Sequence, residues 1–256
     1  MNRPLLLVLT AIPLLAQLPP PNAAGVTAGH HHIMVADPEA HKKIWVDVLG
    51  AEVTGKAPLE FLKLPGIFIG LANGKGEGGT EGSSLDHFAM AVKDYEGTRD
   101  KLAAAGVEIV RDRNQAPREF VALFPDDVKV EFYEDTSLET PIAHHHIHLY
   151  TTDPDGLRDW YVTVFGAEVV EKNGRTVTKI PGTLLSFRKI DAPATPTQGR
   201  ALDHTGFNVK DVVAFCERLV NMDLECQRPF GENAPIAMLV DPAGTRIEIN
   251  QGLENR

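Results

Sequence analysis

The chain has 256 residues, 43% of them hydrophobic, and a formal charge of −10, the balance of a globular protein of one large or two ordinary domains. The acidic excess and the lack of a dense Lys/Arg run exclude nucleic acid as the main partner, because phosphate binding needs clustered cations. Cys216 and Cys226 are the only cysteines; they do not suit a zinc site, and two buried unpaired thiols are expected.

Residues 1–16 read as a secretory signal. Arg3 precedes Leu5-Leu6-Leu7-Val8-Leu9 and Ala11-Ile12-Pro13-Leu14-Leu15-Ala16, an apolar run too short and too broken by proline to span a bilayer. Cleavage after Ala16 would give a periplasmic or secreted protein. No later segment has transmembrane length, so no integral membrane segment is expected in the mature chain. Residues 17–27 form a linker stiffened by Pro19-Pro20-Pro21.

The first module opens as a strand at His30-His31-His32-Ile33-Met34-Val35. Asp37 is a natural N-cap and Pro38 a natural first helical residue; Ile44, Trp45, Val48 and Leu49 share a helical face, and Gly50 stops the helix. Strands follow at 51–54, 59–64 and 67–71. Residues 74–84 contain five glycines but lack the Gly-Lys-Ser/Thr ending of a phosphate loop, so a flexible joint is expected.

The second module repeats this order: a strand over Leu85–Val92, a helix capped by Asp94 and stopped by Gly106, and strands at 107–110, 120–124 and 128–133. Residues 135–142 separate two similar halves, 28–134 and 143–251. The third module opens at His144-His145-His146-Ile147-His148-Leu149, and Asp153-Pro154 starts its helix; Gly166-Ala167-Glu168-Val169 repeats Gly50-Ala51-Glu52-Val53. Residues 192–199 form a second joint. The fourth module has a strand over Leu202–Val209, a helix from Asp211 that stops at Asp223, and strands at 224–227, 237–240 and 245–250.

His30, His87, His146 and His204 each precede a capping Asp by seven residues and lie 57, 59 and 58 residues apart. The chain is therefore an α+β protein of four βαβββ modules. Nine of the ten histidines lie on or just before the four opening strands, a clustering that strand propensity does not explain and metal ligation does. Glu131 follows His87 by 44 residues and Glu248 follows His204 by 44, each on a final strand. Two histidines and a glutamate hold a divalent metal with positions left open.

His32 and His148, two residues after His30 and His146, share their face and are either alternative ligands or acid–base groups. His144 is a weaker candidate, and so are His31 and His145, which alternation turns the other way. Tyr133 and Asn250, on the faces of Glu131 and Glu248, are candidate substrate contacts. Lys129 and Arg246 share those faces and are expected at the surface.

The four modules, the His openings and the closing Glu resemble the vicinal oxygen chelate superfamily: glyoxalase I, bleomycin-resistance proteins, fosfomycin-resistance enzymes and extradiol dioxygenases. The resemblance covers residues 28–251 and implies modules paired into two domains with U-shaped, mainly antiparallel sheets. It implies His30, His87 and Glu131 as one metal set and His146, His204 and Glu248 as the other. It further implies one or two divalent ions (Fe2+, Mn2+, Zn2+ or Ni2+), a small-molecule substrate, and lyase, isomerase or ring-cleaving dioxygenase chemistry. A sequestering protein of the bleomycin-resistance kind is the non-catalytic alternative. The acidic ligand that glyoxalase I adds on the fourth strand of a module is missing from Ile67-Phe68-Ile69-Gly70 and from Leu184-Leu185-Ser186-Phe187.

Overall fold

The computed structural model describes residues 18–55, 60–172, 175–231 and 234–253; the expected signal at 1–16 lies outside them. Module one contains β1 (Val26–Val35), α1 (Pro38–Lys42), β2 (Glu52–Thr54), β3 (Phe61–Leu64) and β4 (Ile67–Asn73). In module two are β5 (Leu85–Val92), α2 (Tyr95–Ala104), β6 (Glu108–Arg113), β7 (Glu119–Phe124) and β8 (Val128–Glu134). Module three runs through β9 (Ile142–Thr151), α3 (Pro154–Phe165), β10 (Glu168–Lys172), β11 (Arg175–Ile180) and β12 (Thr183–Lys189). Module four has β13 (Leu202–Val209), α4 (Val212–Val220), β14 (Ile236–Val240) and β15 (Arg246–Gln251).

Local chemistry sets the helix ends. Asp37, Asp94, Asp153 and Asp211 all sit at N-caps and accept hydrogen bonds from backbone N–H groups of the first turn. After the helices the chain reverses at Gly50, Gly106, Gly166 and Asp223, all with positive φ; aspartate is among the few side chains that tolerate this. Beyond α1 the chain widens into a π-helical turn, Lys43–Val48, with Trp45 fully buried. The strand expected at 224–227 is reduced to one bridge, Gln227 to Met238. Next to it Cys226 is joined to Cys216 of α4, with Cα atoms 5.5 Å apart, so the expected free thiols are a disulfide.

The modules pair into two mixed, mainly antiparallel sheets, but not in sequence order. One sheet runs β14-β15-β13-β1-β4-β3-β2 and so joins modules four and one. The other runs β10-β11-β12-β9-β5-β8-β7-β6 and joins modules three and two. The expectation that each half, 28–134 or 143–251, closes its own sheet is corrected here. Each half is instead a packing unit between the sheets: Trp45 stacks on Phe88 at 5.9 Å, and Phe165 lies 4.6 Å from Phe207, centroid to centroid.

The two joints bond to each other as well. Residues 74–84 are not the free loop expected but pair with the second joint: Ser84 N bonds Thr195 O, Thr195 N bonds Gly82 O, and Glu77 N bonds Gly199 O, at 2.8–2.9 Å. Their glycines serve close approach. A Cβ on Gly76 would lie 2.4 Å from Ala201 N, and one on Gly79 2.4 Å from Asp127.

Candidate metal centres

β1 and β13 run antiparallel with His32 opposite His204, and β15 lies parallel beside β13. That geometry collects His30, His32, His204 and Glu248, whose ligand atoms all lie within 4.8 Å of one another. Glu248 is 3.7 Å from His30 Nε2 and 3.3 Å from His204 Nε2. We call this centre one.

Centre two repeats it in the other sheet, where β5 pairs with β9 and β8. His87, His146 and His148 hold their ring nitrogens within 4.8 Å of one another. Glu131 Oε2 lies 3.3 Å from His87 Nε2 and 3.1 Å from His146 Nε2. The other Glu131 oxygen accepts from Arg111 at 2.7 Å. The two ligand sets expected from the resemblance are therefore exchanged: His30 meets His204 and Glu248, while His87 meets His146 and Glu131.

An aspartate stands behind one histidine of each centre. His87 Nδ1 donates to Asp86 at 2.7 Å, and His204 Nδ1 donates to Asp203 at 2.6 Å. Neighbours in a regular strand face opposite ways, so strict alternation hides this contact. A β-bulge permits it: the ladder skips Asp86 between Leu85 and His87, and skips Asp203 between Leu202 and His204. Lys129 and Arg246, two residues before each Glu, donate in turn to Asp86 and Asp203. Neither is the free surface cation expected. The repeated Leu-Asp-His was the sequence signal for these aspartates.

These contacts set the charges. Burial works against a charge on Glu248, yet His30, His204 and His32 together draw it down to about 2. Burial opposes Glu131 likewise, and its hydrogen bonds to His146 and His87 hold it below the usual carboxylate range. Burial alone would depress His87 and His204, but Asp86 with Glu131, and Asp203 with Glu248, raise both. His148 and His32 are pushed down to about 3 by burial and by the neighbouring rings.

Of the remaining candidates, His31 faces the core and stacks on Phe88 at 4.3 Å, while its Nε2 lies 3.0 Å from that of His144. His145 does not turn away as alternation predicts. It is skipped by a bulge in β9, its Nδ1 lies 2.8 Å from His146 Nδ1, and its ring stacks on Tyr133 at 4.9 Å. Tyr133 thus adjoins centre two, whereas Asn250 bonds Asn208 at 3.3 Å. His41, the one histidine outside the pattern, pairs with Asp126.

Either donor set fits a divalent metal: imidazoles and one carboxylate converge, and buried aspartates fix the far side of a ring. Among the described residues no helix is long and apolar enough to cross a membrane.

No curated protein sequence matches the chain. Glyoxalase I from Zea mays shares the fold, with a TM-score of 0.70 at 18% identity over 90% of this chain and 94% of the other. A putative dioxygenase from Bacillus subtilis subsp. subtilis str. 168 gives 0.65 at 13% identity, covering 92% and 86%. A family model matches residues 27–136 and again 143–249. The chain belongs to the Glyoxalase/Bleomycin resistance protein/Dioxygenase superfamily.

Proposed function

We propose that the protein is an exported metalloenzyme that chelates adjacent oxygens of a small substrate, for lyase, isomerase or ring-cleaving dioxygenase chemistry. The observation that carries this reading is the convergence, twice, of imidazoles from separate strands on one glutamate, buried at Glu131 and half-buried at Glu248. His87, His146 and Glu131 would hold one ion and His30, His204 and Glu248 the other, with His148 and His32 within reach. When bound, a divalent ion supplies Lewis acidity to the substrate oxygens. One carboxylate among neutral imidazoles leaves net positive charge at such a centre, which favours an ionised chelating oxygen.

The chain's own groups do the positioning. Asp86 holds the proton on His87 Nδ1 and aims Nε2 inward. His148, kept neutral by burial, lies beside His87, its Nδ1 3.2 Å from His87 Nε2. Export is supported by the segment 1–16 and by a disulfide suited to an oxidising compartment.

Metal analysis after reconstitution tests the chelate reading: stoichiometric metal, lost when Glu131 and Glu248 are both changed to Gln, is expected. A protein that takes up no metal sinks it. Oxygen uptake by the Fe(II)-loaded protein with a catechol panel separates dioxygenase from lyase or isomerase chemistry. N-terminal sequencing of secreted protein tests cleavage after Ala16.

A further inference from the structure

The offset that relates His30 to His146 also relates the walls of the two centres, and there they differ. Phe68 lies beside His30 in the ladder, while Leu184 occupies that place beside His146. By the same offset Phe61 corresponds to Val177 and Gly70 to Ser186. The Phe61 ring stands edge-on to His30 at 5.8 Å. Phe61 and Phe68 join Leu18 and Leu253, from the two ends of the described chain, in an apolar cluster separate from the main core. Phe68 is 1% exposed and Leu253 4%.

Among the described residues centre two has no such aromatic pair. Val177, Leu184 and Ser186 line a cavity of about 410 Å³ that also reaches His145 and His146. That volume suits a small molecule. The polar surroundings differ as well. Arg111 bonds Glu131, whereas Arg228, its counterpart by the offset that relates Glu131 to Glu248, donates to Val213 O beneath α4.

We propose that the two centres have different tasks. Centre two takes the substrate, whose adjacent oxygens lie at the His87–His146–Glu131 end and whose apolar body lies against Val177 and Leu184. Centre one, with Phe61 edge-on to His30 and Phe68 beside it in the ladder, holds its metal as a structural element and admits no substrate. This assignment rests on the chelate reading above.

The test uses full-length protein loaded with Zn2+, which excludes turnover, and 4-nitrocatechol, whose visible absorbance shifts when both oxygens bind a metal. Metal content is counted in the same samples. The wild type should bind one nitrocatechol per chain. Val177→Phe/Leu184→Phe, which gives centre two the side chains of centre one, should weaken binding about tenfold or more with metal content unchanged. Phe61→Val/Phe68→Leu should leave that affinity in place. Two nitrocatechols per wild-type chain, none at all on metal-loaded protein, or undiminished binding by the Val177/Leu184 variant would overturn the assignment while the chelate reading stands. Absence of metal would remove both. If the Val177/Leu184 variant fails to fold, the wild-type stoichiometry and the Phe61/Phe68 variant decide.

Discussion

Changing Asp86 to Asn removes the carboxylate behind His87 without altering its volume. His87 Nδ1 donates to Asp86 across 2.7 Å, and the two side chains are 5% and 4% exposed, so this is a buried, charge-assisted hydrogen bond. Such bonds contribute roughly 1.5–3 kcal/mol. Most of that loss should fall on the metal, because a ring without its carboxylate is a weaker and less well-aimed ligand. Affinity at centre two should drop about 10–100-fold, equivalent to about 1.4–2.8 kcal/mol. Lys129 loses Asp86 but keeps Glu81 at 2.8 Å, so the metal-free protein should be destabilised far less. The assay is competition for Zn2+ against a chromophoric chelator, run beside Asp203→Asn, which should weaken only the other binding step. Glu81→Gln is the control, since Glu81 is 90% exposed. Undiminished affinity in both aspartate variants would refute the role given to these residues.

Three further outcomes are expected. Burial pushes Asp241 up to about 6 from 3.8, although bonds from Thr245, Tyr161 and Ala243 pull it back. The folded protein therefore keeps this proton between about pH 4 and pH 6 where the unfolded chain has lost it. Stability should fall as pH rises through that window, by about 3 kcal/mol for two pKa units. Asp241→Asn should remove that slope in denaturant titrations, and an unchanged slope would contradict it. Replacing Cys216 and Cys226 with Ser, which opens a loop of sequence separation 10, should cost about 2–3 kcal/mol; labelling of both thiols in the untreated exported protein would show that the bond is not formed. Gly76→Ala should cost about 1–3 kcal/mol in a thermal or denaturant melt, because its Cβ meets backbone that cannot give way; a neutral result would mean that the joints separate freely.

Local features were legible from the residues. The Asp caps, the reversals after each helix, Leu85–Val92 and Leu202–Val209 all follow from side-chain chemistry acting within a few positions. The grouping of modules was not. With openings spaced 57, 59 and 58 residues apart, pairing one with two or one with four satisfies the same strand patterns. The choice is made by pairing between strands of different modules, β1 with β13 and β5 with β9, which no periodicity encodes. The same limit explains Asp86, Asp203 and His145: a bulge adds one residue to a strand, and the rule of alternation then points their side chains the wrong way.

The crossed pairing bears on the order in which the chain is made. β1 leaves the ribosome early, yet β13 and β15, which complete its sheet, are nearly the last strands to emerge. The central sheet of modules two and three can close first, while the β1 edge waits unpaired, exposed to wrong partners. Leu18 and Leu253 meet in one cluster, so the topology is a ring interrupted at a single place. A circular permutant joined there and reopened within 74–84 would encode each sheet in consecutive modules; refolding with a higher yield than the parent would show that waiting, rather than packing, limits assembly.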